Sequence, residues 1–300
     1  MKKFMMLTAL VLGVYSSASS GAFDFGKVIE TMGKLPQQST NSVTKPAEQP
    51  AKAPSPAAQP QLNLGLFGKT SFAEETRIGR QVSGDLLGAA PLVKDDNLQR
   101  YVNTVGRWVA LQSSRPDLPW HFGVIESDDI NAFSAPGGYV FLTKGLYKRL
   151  NNEADLAGVL AHEVAHVTLK HHLNLLKQSQ LIGVLAQTVS KEVKNGDQAV
   201  QNLIGNGAEM MARSLDKESE FEADRIGIVY AARAGYDAWG LPTVLQDMAT
   251  INAKDDRLAL LYKTHPAAAD RLARLGDAVG DRFDNLAPGK DFPDRFYRLR

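Results

Sequence analysis

The chain contains no cysteine. That excludes disulfides, cysteine-ligated metal sites, thiol nucleophiles and a lipidated N-terminal cysteine in one step. Excess charge is nearly absent as well: 34 Lys and Arg stand against 33 Asp and Glu, a formal net charge of +1. No Lys/Arg run is dense enough to track a phosphate backbone, so nucleic acid is excluded as a partner. Long apolar runs are scarce. The first, Phe4 to Tyr15, follows Lys2-Lys3 and precedes small residues with Ala18-Ser19-Ser20 and Ser20-Gly21-Ala22 as cleavage triplets. It falls short of the roughly 20 residues a membrane span needs. Residues 1–22 therefore read as a cleavable export signal. Leu181 to Val189, the next best run, is shorter still, so an integral membrane protein is not expected.

Large apolar side chains are missing again from Pro36 to Leu62, which is rich in Pro, Gln, Ala, Ser and Lys. Such a segment cannot bury enough surface to offset chain entropy. Residues 23–65 are read as a disordered linker. Phe23 to Leu35 is either a short amphipathic helix or the start of that tail. Residues 66–300 are read as one domain, with folding expected to start near Ser71.

Within it, Ile78, Val82 and Leu86, and then Leu98, Val102, Val105 and Val109, recur at helical spacing. Trp120 to Ile125 alternates like a strand. Pro136-Gly137-Gly138 followed by Tyr139-Val140-Phe141-Leu142 predicts a turn inside a hairpin. A further helix is expected over Lys144 to Leu150, another over Asn152 to Lys170, and then mostly helix to about Val279. The fold class is α+β with helix dominant. No tandem repeat is found.

The most specific pattern is His162-Glu163-Val164-Ala165-His166, inside the expected helix Asn152 to Lys170. Residues four apart share a helix face, so both imidazoles can meet one ion. Glu163 lies about 100° round the axis, beside such an ion rather than on it, where it can hold a water. Val164, Ala165 and Val167 make the segment apolar, and buried histidines need partners. Two neutral imidazoles and a nearby base are the core of a hydrolytic zinc site. A catalytic zinc takes a third protein ligand. Downstream, Glu220 and Asp224 are four apart on another helical pattern. Glu220 is the candidate ligand, and Asp224 the candidate acceptor for a ligand histidine's N–H. Glu222 is expected to point elsewhere. The alternative is a solvated acidic face paired with Lys217 and Arg225.

These residues resemble the HtpX and CAAX-prenyl-endopeptidase family of zinc metallopeptidases. His162 to His166 followed by Glu220-Phe221-Glu222-Ala223-Asp224 carries the likeness. Asn131 to Leu146, His166 to His171, and Thr264-His265-Pro266 with Arg271 add to it in the family's order. The resemblance implies a zincin-like domain with a small sheet or hairpin beside the active-site helix. It implies one zinc held by His162, His166 and Glu220, with Glu163 as general base. His265 is expected to stabilise an oxyanion, to occupy zinc's fourth position in a closed state, or merely to cap beside Pro266. Substrate is expected to lie extended along Gly138, Tyr139, Val140 and onward to Leu142, adding itself as a strand; the alternative is that this strand is simply core, or serves both on its two faces. His171 and His172 are expected to be solvated helix ends, and His121 to be structural. Residues 172–212 form either a lid or part of the core.

The chain is similar to the exported, soluble branch of the family, the BepA-like and LoiP-like envelope proteases. It departs from them in lacking a lipobox cysteine, and in stopping near Arg300, before any tetratricopeptide array. The implied activity is periplasmic hydrolysis of unfolded or misassembled envelope proteins. The implied partners are extended polypeptides and the outer-membrane assembly machinery. The alternative is a non-proteolytic chaperone or binding module of the same fold.

Overall fold

The computed structural model describes residues 70–179, 215–252, 255–265, 267–280 and 289–299. The segments read as export signal and linker, and residues 180–212 of the segment read as lid or core, lie outside the described residues.

Two helices come first. α1 spans Phe72–Ala89, and Ser71 caps it by accepting the Glu74 N–H. α2 spans Asp96–Ala110, and Asp95 accepts the N–H groups of Asn97 and Leu98. Both caps satisfy donors that a helix start leaves unpaired. Three strands follow: β1 His121–Ile125, β2 Ala132–Ala135 and β3 Tyr139–Thr143. β2 and β3 form the expected hairpin, antiparallel with Ala135 opposite Tyr139. Its turn is built from Gly137 and Gly138 at φ +76° and +99°. A Cβ on Gly137 would sit 2.7 Å from the Thr76 Cα, so the turn presses directly on α1. β1 pairs with β3 in parallel, giving the order β1-β3-β2.

The helix expected over Lys144 to Leu150 is one turn only, α3 Lys144–Tyr147. α4, Glu153–Thr168, starts at the Asn152 cap and is buried at every position. Leu156, Leu160 and Val164 are wholly enclosed. Each contributes about 1.5–3 kcal/mol from burial, which outweighs the modest intrinsic propensity of a Val- and His-containing helix. Residues 171–179 are helical again. Then come α5 Lys217–Arg233, α6 Gly240–Thr250, a 3₁₀ turn Asp256–Leu258, α7 Ala259–Thr264 and α8 Ala268–Val279.

The sheet separates two cores. Phe133, Phe141 and Ile125 face α1. Val124, Val140 and Leu142 face α2, α4 and the later helices. Successive residues of β3 alternate between the two, as a strand's period of two requires. Residues 289–299 run back over the start of α4. The Asp291 carbonyl accepts the N–H groups of Glu153 and Ala154, and Phe296 stacks on Tyr147. Among the described residues, no helix is long and apolar enough to cross a membrane.

Candidate metal centre

α4 and α5 pack against each other more extensively than any other pair of elements. They can do so because α5 carries Gly227 where it crosses His162. A Cβ there would meet the His162 N and Cα at 2.9 Å. This close crossing brings α5's acidic residues to α4's histidines. His162 Nε2 and His166 Nε2 lie 3.0 Å apart. Glu220 Oε2 is 3.7 Å from the first and Glu220 Oε1 is 3.5 Å from the second. Ligand atoms on a tetrahedral ion at zinc distances stand about 3.4 Å apart, so this spacing suits one such ion. His265, at the C-terminal end of α7, supplies a further donor, and the four residues' ligand atoms all lie within 4.8 Å of one another. All four side chains are buried.

The nitrogen of His162 that would face an ion is fixed from behind. Its Nδ1 is 2.9 Å from Asp224 Oδ1. Asp224 is in turn gripped by Arg271 of α8, whose Nε donates to Oδ2 at 2.9 Å and whose Nη2 donates to Oδ1. Arg271 Nη1 is also 3.8 Å from Glu220 Oε2. His265 Nδ1 lies 2.7 Å from the same Glu220 oxygen.

Charge follows geometry. Burial opposes the ionisation of Glu220, but His265, Arg271 and His162 outweigh it and hold the carboxyl down at about 2. Asp224 is also desolvated, yet Arg271 and then His162 keep it well below the usual carboxylate range. His166 is driven the other way: burial, and then the neighbouring imidazoles, push it far below an ordinary histidine. Ionised carboxylates beside a neutral imidazole are the state a divalent cation requires of its ligands.

Among the described residues, the buried carboxylate oxygens without a hydrogen-bond partner are Glu220 Oε1 and Glu163 Oε2, beside three hydroxyls, those of Thr70, Ser83 and Ser134, and the Nδ1 of His172. Buried polar atoms are ordinarily satisfied, so each orphan calls for an explanation. A cation among the two imidazoles and Glu220 satisfies the first. A water held beside it satisfies the second. The donor set, two His and one Glu, fits zinc.

Residues 96–279 match the sequence model of peptidase family M48. The chain belongs to that family. The match runs from α2 to α8 and leaves α1 and residues 289–299 outside it. The chain is similar to the beta-barrel assembly-enhancing protease of Escherichia coli (strain K12), 31% identical over 232 residues, which are 75% of this chain and 47% of that protein. It is 26% identical over 219 residues to the mitochondrial metalloendopeptidase OMA1 of Schizosaccharomyces pombe, covering 72% of this chain and 64% of the relative. It is 27% identical over 173 residues to the metalloprotease YcaL of Escherichia coli (strain K12), covering 57% and 66%. The chain spans about half the length of the assembly-enhancing proteases it matches.

Two expectations about this M48 domain are corrected by the structure. Gly138, Tyr139 and Val140 are not on a free edge. β3 is the central strand, paired along 139–143 with β1 and along 139–142 with β2. The Gly138 carbonyl is taken by the His121 N–H, and Tyr139 stacks on the exposed His121 ring. A substrate cannot extend the sheet there. The outer edge of β1 is covered too. Gln99 of α2 accepts the Val124 N–H and donates to the Val124 carbonyl, both at 2.9 Å, and Asn103 accepts the Phe122 N–H. The remaining edge belongs to β2, the strand packed most closely on α4. Thr143 N–H bonds to the Asn131 carbonyl, so by antiparallel alternation Ser134 turns its N–H and C=O away from β3.

The second correction concerns His171 and His172. His171 is buried, with Nδ1 2.9 Å from His166 Nδ1. Its Nε2 lies 3.4 Å from Glu222 Oε2, so Glu222 stays out of the ligand group and reaches it only through His171. His172 has a buried Nδ1 with no partner, and burial, then His265, push it down to about 4. α4 ends at Thr168, and Lys170 at φ 62° reverses the chain, returning His171 beneath His166. Extending the helix to residue 170, as the apolar spacing suggests, puts His171 elsewhere.

Proposed function

We propose that this chain is a zinc endopeptidase that cuts extended segments of unfolded or misassembled cell-envelope proteins. His162, His166 and Glu220 hold the metal, and Glu163 is the general base. The observation that carries the reading is the pair of orphaned carboxylate oxygens, Glu220 Oε1 of α5 facing His166 Nε2, and Glu163 Oε2 of α4, beside His162 in the chain. Zinc, when bound, supplies a Lewis acid that acidifies water and polarises a peptide carbonyl. Glu163 takes the water's proton and delivers it to the leaving amine. Asp224 keeps His162 in the tautomer that presents Nε2, and Arg271 holds Asp224 in place. The polypeptide to be cut lies extended beside β2, the outer strand next to α4. Recognition through backbone makes exposed, unfolded chain the substrate class.

His265 completes a set of four protein donors. Four protein ligands make a closed site, whereas catalysis keeps one position open. His265 therefore fills the fourth position at rest and yields it to substrate. Residues 1–22 are the signal for export to the periplasm, 23–65 a linker, and 66–300 the peptidase domain. A role beside outer-membrane assembly accords with the similarity to the beta-barrel assembly-enhancing protease.

The test compares purified mature protein with Glu163→Gln on casein and on an unfolded outer-membrane protein. Wild type cleaves and Glu163→Gln falls by at least about 100-fold, the usual worth of a general base. Equal fragmentation by both removes the enzyme reading. Client binding without cleavage by either selects the chaperone alternative. In the same assay, His265→Ala raises basal cleavage of casein; a deep loss instead assigns His265 to the oxyanion.

A further inference from the structure

His162 has an evident partner behind it, the Asp224 carboxylate. His166 has a second histidine behind it, and that arrangement constrains protons. We infer that His171 and Glu222 form a positioning chain that fixes the tautomer and ring orientation of His166. The inference rests on the metal reading above, because it begins from His166 offering Nε2 to an ion. A nitrogen that binds a cation carries no hydrogen, so the single ring proton of His166 sits on Nδ1. That N–H points at His171 Nδ1, 2.9 Å away. His171 Nδ1 must then be bare in order to accept. The proton of His171 is left on Nε2, which faces Glu222 Oε2 at 3.4 Å. Every donor in the chain meets an acceptor. The opposite tautomer of His171 would set two N–H groups head to head inside a buried site, at the cost of two unmet hydrogen bonds.

The placement supports this. His166 is wholly enclosed and His171 nearly so. Their rings meet edge-on, 5.1 Å between centroids at 71°, which leaves the Nδ1 atoms aimed at each other. The Glu222 side chain is about half exposed, so it stays hydrated while its Oε2 faces His171. α5 thus serves the centre three times: Glu220 touches the ion, Asp224 orients His162 directly, and Glu222 orients His166 through His171. Supporting carboxylates of this kind typically govern about 10- to 100-fold in metal affinity.

The experiment measures zinc affinity of the full mature chain by competition with a chromophoric chelator, beside the melting temperature of the zinc-free protein. Glu222→Ala is expected to weaken zinc by about 10-fold or more while leaving the zinc-free melting temperature unchanged, because the residue is half exposed. Glu222→Gln, whose amide oxygen accepts the same N–H, is expected to recover most of that loss. His171→Phe weakens zinc at least as much, and its effect does not add to that of Glu222→Ala in the double variant. Wild-type zinc affinity in Glu222→Ala overturns the chain. So does a loss matched by a fall in zinc-free stability, or full additivity in the double variant. A wild-type protein that takes up no zinc overturns the metal reading itself, and the chain with it.

Discussion

Arg271 is a buried cation whose acidic partners are two carboxylates of the candidate centre, Asp224 through two hydrogen bonds and Glu220 at 3.8 Å. Removing one member of such a pair leaves an uncompensated buried charge, which costs about 3–5 kcal/mol. Arg271→Ala should therefore lower the urea midpoint of the zinc-free protein and weaken zinc binding as well, since Asp224 loses the fork that aims it at His162. Arg271→Lys keeps the charge but not the planar two-point grip, and should restore stability only in part. Full restoration by Lys would mean that charge alone matters. The sequence tells unequally at this scale. Helical spacing brings out His162 and His166 on one turn of α4, and Glu220 and Asp224 on one turn of α5, because i, i+4 geometry is local. The grip of Arg271 and the return of His171 are not local. The first depends on where α8 docks. The second depends on a single left-handed residue, Lys170, which no periodicity reveals.

At the scale of elements, the centre exists because α5 can approach α4 to backbone contact at Gly227. Gly227→Ala puts a methyl group 2.9 Å from His162 main-chain atoms that cannot step aside. We expect about 1–3 kcal/mol of destabilisation from overpacking, and weaker zinc binding as Glu220 is levered away. Gly276, in α8, is the control, since a Cβ there meets nothing within 4 Å. Gly276→Ala should stabilise by about 0.5–1 kcal/mol through helix propensity alone and leave zinc untouched. Thermal melts of both variants, with and without zinc, separate crowding from propensity; two glycines that respond alike would refute the close-crossing account. The helices announce themselves through caps and apolar spacing. The hairpin does so through Gly137-Gly138. Strand order does not, because an alternating strand looks the same at an edge as in the middle. What makes β1 a covered edge is a pair of amides, Gln99 and Asn103, reaching across from α2. That is a tertiary fact, and it leaves β2, itself buried, as the sheet's other outer strand.

For the whole molecule, residues 289–299 lie beyond the family match yet hold the starts of α2 and α4 together. Tyr297 donates its hydroxyl to Asp95, the cap of α2, while the Tyr147 hydroxyl bonds to the Tyr297 carbonyl. Nearby, Glu153 at the start of α4 is buried and receives the hydroxyls of Tyr101 and Tyr236 and the guanidinium of Arg295. Sequence patterning gives no hint of this clasp, because its residues are too few to show a period. It should be visible in acid. The Leu98 N–H, then the Tyr297 hydroxyl, hold Asp95 below its ordinary value of 3.8. A carboxyl whose folded pKa is depressed adds stability that is fully present above the unfolded value and is lost as pH falls through the folded one. Urea midpoints measured from pH 5 downward should therefore steepen below about pH 4 in the wild type. Asp95→Asn keeps a good helix cap but does not titrate, so its acid limb should be shallower. Tyr297→Phe, which removes one of the groups depressing Asp95, should fall between the two. If the three acid limbs superimpose, the contact between Tyr297 and Asp95 contributes nothing to holding the clasp on α2.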